Sequence, residues 1–457
     1  MKRAKNYDVI IVGSGFAGLS AAISAAGEGH TVCVVEKLPK PGGNSRISDG
    51  GMGVAGSDLQ AKAGIEDSPE MLSEDMLRAG LHKNDRALVE CVAARSNDAY
   101  EWTKSLGVRW VERLDVFGGH RVARCLTPVN RSGRDIIDPL YREAKRLGVD
   151  FLFRHSLESI VMEDRMAKEI VLVPGFKAGT RKPKARVRLE MSKRLIIATG
   201  GYGADIRMVN GFTDYPDNLD TTNLKTATGE MIRLLIEIGC GVRDLEEVQL
   251  APWTSPDEEG FGLAPLFGDY IVLNKGILVN PKNAGRFVNE LADRKTLSEA
   301  MLKTGHVDIG IADEAIVKAL GWDLSKALKK RIVRRFDTID DLALHYGMRT
   351  THLKNTISEY NETLKAGKAD PFGKPAEGMH PIETPPFYGM RMSVKTHHTM
   401  GGVMIDTEAK VLDQQGEPFD NLFACGEVTG GVHGASRLGS MAVTECIVMG
   451  RIAGTIG

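Results

Sequence analysis

The sequence predicts an α/β protein. A domain built on a parallel, Rossmann-like sheet is assembled from both ends of the chain, and an α+β domain is inserted between them. Three observations support this prediction: a strand–turn–helix–strand pattern opens the chain, further buried strands that end in glycines come much later, and tryptophans, prolines and basic helices mark the region between. The predicted boundaries are 1–245 and 393–457 for the sheet domain and 246–392 for the inserted domain.

The opening pattern begins with the apolar run Tyr7–Val12, which is typical of a strand buried on both faces. The turn Gly13–Gly18 follows this strand and precedes a helical segment of small apolar residues. A second strand, Thr31–Val35, is closed by Glu36, 18 residues after Gly18. The G-x-G-x-x-G spacing between two strands is the fingerprint of a dinucleotide-binding unit.

Each part of the fingerprint has a mechanical role. Gly13 permits the tight turn, Gly15 lets the backbone approach a pyrophosphate, and Gly18 lets the helix pack closely on the strand. The pyrophosphate would lie at the helix N-terminus, where N–H groups and the helix dipole favour an anion. Glu36 would accept hydrogen bonds from ribose hydroxyls, and its negative charge argues against the 2′-phosphate of NADP.

Glycine is enriched at both ends of the chain. It accounts for 51 of 457 residues, and 22 of these lie in residues 1–56 and 395–457. A second glycine-rich stretch, Gly42–Ser45, follows the ribose carboxylate and indicates a ligand that runs on past the ribose; a surface loop with turn glycines is the alternative. Near the other end, Phe423–Glu427 is expected to be a strand end and Arg437–Gly450 a closing helix.

The composition excludes several function classes. Lys and Arg total 59 and Asp and Glu 60, so the net charge of −1 offers no basic excess for nucleic acid. The chain has no apolar run of 18 residues for a membrane span, and its six scattered cysteines form no metal, cluster or haem motif. The basic start Met1–Lys5 is followed by no adequate apolar core of a signal peptide, which predicts a cytoplasmic protein.

Nine motifs together resemble the flavoprotein subunit of fumarate reductase and succinate dehydrogenase. The closer resemblance is to the soluble branch of flavocytochrome c-type fumarate reductases and 2-enoate reductases such as urocanate reductase. The motifs follow the family's order over nearly the whole chain: Gly13–Gly18 with Glu36, Gly42–Ser45, Gly50-Gly51, Ala198–Gly201, Thr228–Glu230, Gly285–Glu290, His397–Gly402, Cys425–Glu427 and His433–Gly439. The resemblance implies bound FAD and a mobile capping domain formed by the inserted region.

The resemblance also implies which residues bind the cofactor. Glu427 would contact the ribityl chain, and the backbone around Ser440–Val443 would meet the isoalloxazine edge. Asn44 stands where membrane-bound members carry the histidine that bonds FAD covalently, so non-covalent FAD is expected. The full expected set is Gly13, Gly15, Ala17, Gly18, Glu36, Lys37, Gly43, Asn44, Ser45, Gly50, Gly51, Thr199, Gly200, Glu230, His398, Gly426, Glu427, Arg437, Ala442 and Val443.

The reaction implied by the resemblance is reduction of the C=C bond of an α,β-unsaturated carboxylate, with hydride from flavin N5. Arg294 stands at the position of the proton donor, a role that needs a relay to reload the guanidinium because arginine is normally a permanent cation. His397 and Arg437 match residues that hold the substrate carboxylate, for which arginine offers a bidentate fork. Asp269 aligns with a carboxylate of the relay.

The substrate pocket departs from the family's fumarate and succinate enzymes. Those enzymes have His-Pro-Thr where this chain has Ala251-Pro-Trp253, and their relay arginine is replaced by Val272. One carboxylate clamp is therefore kept, and the other is largely lost. The sequence predicts a monocarboxylate with a bulky or aromatic tail, heteroaromatic tails included, not fumarate.

Two alternatives remain open from the sequence. The chain could be a dehydrogenase that desaturates an acid or a ketone, as the related ketosteroid dehydrogenases do, or a flavoprotein subunit that is active only within a complex. It has neither a haem motif nor a second dinucleotide fingerprint. A separate electron donor, either a protein or free reduced flavin, is therefore expected.

Overall fold

The computed structural model describes residues 5–116, 119–177, 179, 184–305 and 307–456. The basic start Met1–Lys5, on which the prediction of a cytoplasmic protein rests, lies outside the described residues except for Lys5. The chain divides into two compact units. Unit 1 comprises Met1–Tyr215, Leu224–Val248 and His398–Gly457, and unit 2 comprises Pro216–Asn223 and Gln249–His397.

The unit boundaries differ slightly from the predicted ones. The predicted changes at 245–246 and 392–393 lie within five residues of the structural boundaries. Residues 216–223, predicted in the sheet domain, group instead with the inserted unit. The reason is a pair of backbone hydrogen bonds: Thr396 N–H donates to Asp220, and Thr222 N–H donates to Thr396, each over 2.9 Å.

The described residues form strands β1 to β17 and helices α1 to α17. In chain order the strands are Lys5–Val12, Val32–Glu36, Met52–Gly53, Cys125–Leu126, Asp150–Phe153, His155–Glu163, Met166–Pro174, Val187–Ile197, Val242–Arg243, Val248–Thr254, Ile277–Val279, Val307–Asp313, Arg334–Phe336, Phe387–Thr399, Gly402–Val403, Lys410–Leu412 and Pro418–Ala424. The helices are Phe16–Gly27, Gly43–Ile47, Asp58–Ala63, Pro69–Ala79, Arg86–Ala94, Ser96–Ser105, Arg134–Arg146, Ile206–Phe212, Glu230–Glu237, Ala264–Phe267, Leu273–Lys275, Arg294–Thr304, Glu314–Leu320, Ser325–Lys329, Ile339–His345, Thr350–Lys365 and Met441–Gly454, with a π-helix at Gly268–Val272.

Unit 1 is built on a sheet with the strand order β16-β17-β8-β1-β2-β5. Strands β17, β8, β1, β2 and β5 are parallel, whereas β6 and β7 form an antiparallel extension on β8. The residues Val9–Ile11 at the centre of β1 are fully buried, as expected for a strand covered on both faces. This arrangement confirms the predicted α/β architecture.

The two ends of the chain meet where α17 packs on α1. Two glycines of α17 make the approach close: a Cβ at Gly450 would lie 2.4 Å from the carbonyl oxygen of Ala17, and one at Gly454 would lie 2.2 Å from that of Ala21. The closing helix begins at Met441, not at Arg437 as predicted. The reason is that Ser440 adopts a left-handed conformation with φ of 60°, which a helix interior does not accommodate.

Unit 2 contains a five-stranded sheet in which β12 pairs antiparallel with β11 and β14, and β13 pairs antiparallel with β14. Its order is β10-β14-β12-β11. Helices α10 to α16 and the π-helix belong to the same unit, which gives it the predicted α+β character. Within the described ranges, no helix in either unit has both the length and the apolar character needed to cross a membrane.

Candidate functional site

Four parallel strands of unit 1 end at one edge of the sheet. Gly13 follows β1, Glu36 ends β2, Ala198 follows β8, and Cys425 follows β17. The strand registers align these ends, since Val12 pairs with Val35 and Ile197. A cavity opens at this edge and is lined by all four of these strand ends. Ligands of open α/β sheets bind at this edge.

The fingerprint turn fits its predicted roles. Gly13 has φ of 105°, and a Cβ there would lie 2.2 Å from the carbonyl oxygen of Ala198. A Cβ at Gly18 would lie 2.1 Å from the carbonyl oxygen of Gly13. No side chain caps the N-terminus of α1, although the backbone N–H of Phe16 donates to the hydroxyl of Ser45 over 3.1 Å. The turn thus presents backbone and small side chains to the cavity.

Glu36 is oriented by the protein itself. Its side chain is buried, with Oε2 accepting hydrogen bonds from the backbone N–H and the hydroxyl of Ser14. Its Oε1 accepts from the N–H of Leu38 over 2.8 Å. An ionised carboxylate can accept about four hydrogen bonds. The three observed bonds therefore hold Glu36 in place and leave acceptor capacity for a ribose hydroxyl.

Most of the predicted cofactor residues line this cavity. Those that do are Gly13, Gly15, Ala17, Glu36, Lys37, Gly43, Asn44, Ser45, Thr199, Gly200, Glu230, Gly426 and Glu427. Those that do not are Gly18, Gly50, Gly51, His398, Arg437, Ala442 and Val443. The sequence missed the contribution of His155–Leu157, which comes from β6 and carries no glycine motif. Thr226 and Ala227 were also missed, although they directly precede the Thr228–Glu230 motif.

The chemistry of the lining fits a polar ligand. The hydroxyl oxygens of Thr199 and Thr228 are buried, and neither has a hydrogen-bond partner among the described residues. Buried polar atoms normally find partners, so a ligand with donors and acceptors at this cavity would satisfy them. Lys37 and Glu230 form an ion pair over 2.9 Å between two lining positions. The residues present therefore fit the predicted dinucleotide cofactor.

A second set of contacts joins the two glycine-rich ends of the chain. The N–H of Gly53 donates to the carbonyl of Ser440 over 3.3 Å, and the Thr444 hydroxyl donates to the carbonyl of Gly53 over 2.8 Å. Nε2 of His120 lies 2.8 Å from the carbonyl oxygen of Gly439. The segment predicted to meet the isoalloxazine edge is thus tied to the β3 region. The contact of His120 was not predicted, because no local sequence pattern indicates it.

Glu427 lines the cavity, and its side chain is only 15% exposed. Its Oε1 accepts from the N–H and hydroxyl of Thr399, and Nδ1 of His398 lies 3.7 Å from Oε2. Burial raises the pKa of Glu427 to about 7, although the Thr399 hydrogen bonds and the charge of Arg437 oppose the shift. Burial, reinforced by Arg437, also lowers the pKa of His433 to about 3, so His433 is neutral at physiological pH.

Three of the predicted substrate-site residues cluster within unit 2. Arg294 is the first residue of α12, after the N-cap Asp293, and its guanidinium carbon lies 5.7 Å from the centre of the Trp253 ring. The Trp253 ring meets His397 edge-on, with ring centres 5.1 Å apart. Phe261, which the sequence did not single out, lies 5.6 Å from Trp253.

His397 is held by a neighbour that the sequence analysis missed. Its Nδ1 lies 2.8 Å from the hydroxyl of Thr222, which is 175 residues away along the chain. Asn223 donates from its side-chain amide to the His397 carbonyl over 3.1 Å. No sequence pattern predicts that Thr222 and Asn223 contact His397, because the segment 216–223 is brought to His397 only by the tertiary fold.

The positions that depart from the fumarate pattern also lie in unit 2. Ala251 is fully buried in β10, and Asp269 lies on the π-helix Gly268–Val272. Val272 is fully buried, and a Cβ at Gly310 of β12 would lie 3.0 Å from its methyl groups. The residue predicted to stand at the position of the relay arginine is therefore part of the core of unit 2.

Comparison with known proteins is consistent across sequence and structure. A family model described as "FAD binding domain" matches residues 8–443. The chain is 36% identical over 458 residues to a probable fumarate reductase of Shewanella frigidimarina, covering 99% of this chain and 74% of that protein. It is 34% identical over 469 residues to the acrylate reductase flavoprotein subunit of Shewanella woodyi, covering 100% of this chain and 92% of that protein.

A solved structure shows the same fold. The open conformation of a flavocytochrome c3 fumarate reductase superposes with a TM-score of 0.83 and 34% identity, covering 99% of this chain and 78% of that one. The match therefore includes both the nucleotide-binding and the inserted unit. The chain belongs to the FAD-binding-domain family, among the fumarate reductase-like flavoproteins, and is an FAD-dependent oxidoreductase.

Proposed function

We propose that this protein reduces the C=C bond of an α,β-unsaturated monocarboxylate that carries a bulky or aromatic tail. The observation that carries the proposal is the unit 2 cluster, in which Trp253 contacts both Arg294 and His397. The similar proteins include an acrylate reductase flavoprotein subunit and a urocanate reductase, whose names denote unsaturated monocarboxylates. A large aromatic residue beside the expected proton donor and carboxylate ligand suits such a substrate.

The proposed cofactor is non-covalent FAD, which supplies the hydride at N5 when bound. Glu36 holds the ribose, and the fingerprint turn with α1 receives the pyrophosphate. The side-chain oxygen of Asn44 accepts a hydrogen bond from the N–H of Leu224 over 2.9 Å. An amide engaged in this way is not a nucleophile, which supports the absence of a covalent bond at this position.

His397 and Arg437 are the proposed ligands of the substrate carboxylate. The Thr222 hydroxyl at Nδ1 fixes the ring orientation of His397. The guanidinium of Arg437 is buried and donates to the Leu438 carbonyl over 3.2 Å, which restricts its rotation. Donors that are fixed before binding lose little conformational freedom when an acid binds. Binding the carboxylate also withdraws charge from the conjugated double bond and favours hydride attack at the far carbon.

Arg294 is the proposed proton donor. Its guanidinium lies over the indole of Trp253, and this aromatic surface limits the access of water to the charge. A proton delivered by an arginine must be replaced, and Asp269 is the proposed carboxylate for that task. Because Val272 is a buried valine, the replacement proton takes a route that does not include a second arginine at that position.

The pocket is poorly suited to a dicarboxylate. Ala251 offers no side-chain donor to a second carboxylate, and the rings of Trp253 and Phe261 would remove water from it while offering at most the one neutral indole N–H in return. Burying an unpaired carboxylate is strongly unfavourable. A neutral tail of similar size would instead gain contact with these rings. We therefore propose that fumarate is a poor substrate compared with monocarboxylates that have aromatic tails.

The test is a stopped-flow measurement of the photoreduced, FAD-loaded protein mixed anaerobically with acids of increasing size. We propose that a separate donor protein or free reduced flavin supplies electrons in the cell, and photoreduction replaces it in this experiment. Aryl-substituted acrylates should reoxidise the flavin at least 10-fold faster than fumarate at equal concentration. Faster reoxidation by fumarate would refute the proposed substrate class, and no reoxidation by any acid would refute the proposed reaction.

A further inference from the structure

We infer that the substrate's tail carries a hydrogen-bond acceptor that binds the indole N–H of Trp253. This inference rests on the proposed function and narrows its substrate class. The acid would be an α,β-unsaturated monocarboxylate with an aromatic tail that bears a ring nitrogen or an oxygen at its edge. Trp253 would then determine specificity by recognising a single atom, in addition to providing an apolar surface.

The first observation is an unsatisfied donor. Trp253 is only 3% exposed, and its Nε1 is buried without a hydrogen-bond partner among the described residues. Buried tryptophan N–H groups usually have an acceptor. Trp110 of the same chain does: its Nε1 donates to the hydroxyl of Thr103 over 3.2 Å. Trp253 therefore carries an energetic cost in the folded protein that a bound acceptor would relieve.

The second observation is that three described side chains in contact with the Trp253 ring leave its N–H without an acceptor. Arg294 has only donors, and its Nη1 is likewise buried without a partner among the described residues. Phe261 is apolar, and Nδ1 of His397 is already engaged by Thr222. Two buried donors thus lie in one cluster with a guanidinium-to-ring distance of 5.7 Å. The missing acceptor is best supplied by the ligand that this cluster is proposed to bind.

The position of Trp253 indicates which part of the ligand carries the acceptor. Its ring contacts His397, a proposed carboxylate ligand, and Arg294, the proposed proton donor. Groups that bind the carboxylate and protonate the adjacent carbon occupy one end of an enoate. The carboxylate and the adjacent carbon already have His397, Arg437 and Arg294 as proposed partners, so the tail is the part of the acid that remains for Trp253. The acceptor therefore belongs to the tail and is distinct from the reacting carboxylate.

The test compares acids that differ by one ring atom. Cinnamate has no acceptor in its tail, whereas 3-(2-pyridyl)-, 3-(3-pyridyl)- and 3-(4-pyridyl)acrylate place a ring nitrogen at each position in turn. Single-turnover reoxidation of the reduced holoenzyme gives a second-order rate constant for each acid, at a pH where pyridine is neutral. At least one pyridyl acid should react about 10-fold faster than cinnamate, the selectivity that one hydrogen bond provides.

The variant Trp253→Phe keeps a six-membered aromatic ring and removes the five-membered ring that carries the indole N–H. In W253F the pyridyl-to-cinnamate ratio should fall to about 1, whatever the change in the absolute rate constants, because both acids lose the same ring surface and only the pyridyl acids lose a hydrogen bond. The matched control Trp110→Phe, in which the removed N–H already had an acceptor, should leave the ratio unchanged. Flavin content and Tm establish that each variant is folded.

Several outcomes would overturn the inference. A ratio that survives in W253F would show that the N–H does not recognise the tail. An equal loss for cinnamate, the pyridyl acids and unsubstituted acrylate would place the acceptor on the carboxylate. If W253F does not fold, the rate constants of the wild-type protein with cinnamate and the three pyridyl acids test the inference by themselves. It is refuted if no pyridyl isomer reacts faster than cinnamate. Failure of every acid to react refutes the proposed function itself, which is a distinguishable result.

Discussion

The unit 2 cluster shows how much a single residue can decide. The arginine and histidine proposed to act on the acid are accompanied by Trp253, a residue that no dinucleotide motif includes. The Trp253 side chain is much larger than the threonine that stands at this position in the fumarate pattern. Two residues earlier, Ala251 replaces a histidine of that pattern. Specificity in this account therefore comes from two substituted positions of one short strand, β10.

Replacing Arg294 tests its role as proton donor. Arg294→Gln keeps a polar side chain, although a shorter one, and has neither the positive charge nor an acidic proton to transfer. We expect enoate reduction to fall by about 10²–10⁴-fold, the usual contribution of a general acid, with unchanged FAD content. Steady-state reduction of an aryl acrylate measures the effect. Lys295→Gln, the same loss of charge at the next residue, is the control, and equal activities of the two variants would contradict the assignment.

Asp308 provides a prediction about stability. It is fully buried on β12 with one hydrogen bond, from the Thr304 hydroxyl over 2.8 Å, and burial raises its pKa to about 7. The folded state therefore binds a proton more tightly than the unfolded state, so its contribution to stability is lost as pH rises from about 4 to about 7. Asp308→Asn should remove this loss and raise Tm by several degrees at pH 8 relative to wild type.

The comparison is made by thermal unfolding from pH 4 to pH 8. Tm of the D308N variant relative to wild type should increase with pH and be smallest at the acidic end. Asp337→Asn, which changes an exposed aspartate in the same unit, is the control and should show no such trend. A pH-independent difference between D308N and wild type would mean that Asp308 is already ionised in the folded protein.

At the scale of elements, sequence patterns predicted the strands, turns and helices that depend on residues close together in the chain. The β1–α1–β2 unit was predictable because strand burial, the glycine spacing and Glu36 all lie within a short stretch of chain. The neighbours of that unit were not. The parallel pairing of Asp150–Phe153 with β2, which brings β6 to the cofactor cavity, depends on contacts between strands more than a hundred residues apart. The missed lining residues His155–Leu157 come from β6, whereas Thr226 and Ala227 were missed although they adjoin a motif.

The packing of α17 on α1 is the element-scale contact that joins the chain ends. Gly450→Ala would place a methyl group 2.4 Å from a backbone oxygen of α1, which cannot be accommodated without moving a helix. We expect the free energy of unfolding to fall by about 1–3 kcal/mol, as for other overpacked cores. Chemical denaturation with and without FAD would measure it.

The control for that variant is Gly27→Ala at the end of α1. A Cβ there meets no atom within 4 Å, so the substitution should be neutral or slightly stabilising. Equal stability of the G450A and G27A variants would show that α17 does not pack on α1 as closely as described. Loss of stability in G450A together with retained flavin would separate the helix contact from cofactor binding.

At the scale of the whole molecule, the glycine-rich ends of the chain converge in unit 1. The N-terminal glycines belong to the fingerprint turn and to the Gly50–Gly53 segment. The C-terminal glycines include Gly426, which lines the cavity, and Gly450 and Gly454, which pack α17 against α1. The family resemblance predicted this convergence, since the conserved motifs of one cofactor site occur at both ends. The substrate could not be predicted as fully, because it depends on side-chain contacts such as Thr222 with His397.

The proposed non-covalent attachment of FAD concerns the whole protein, and a simple separation tests it. Because Asn44 cannot form the histidyl bond, acid precipitation should leave the flavin in the supernatant and a colourless pellet. The spectrum of the supernatant and mass spectrometry of the precipitated chain measure the two fractions. A yellow pellet, or a chain mass increased by that of FAD, would contradict this expectation. Heat denaturation of a second sample provides the control, because it releases only non-covalent flavin.

The central claim is that this flavoprotein saturates the double bond of an unsaturated monocarboxylic acid. The most direct measurement is an anaerobic single turnover in which the fully reduced protein meets one equivalent of an aryl acrylate, followed by mass spectrometry of the acid. The account predicts stoichiometric reoxidation of the flavin and an acid that has gained two hydrogens. Reoxidation that leaves the acid unchanged, or oxidised protein that desaturates the saturated acid faster than reduced protein acts on the enoate, would contradict it.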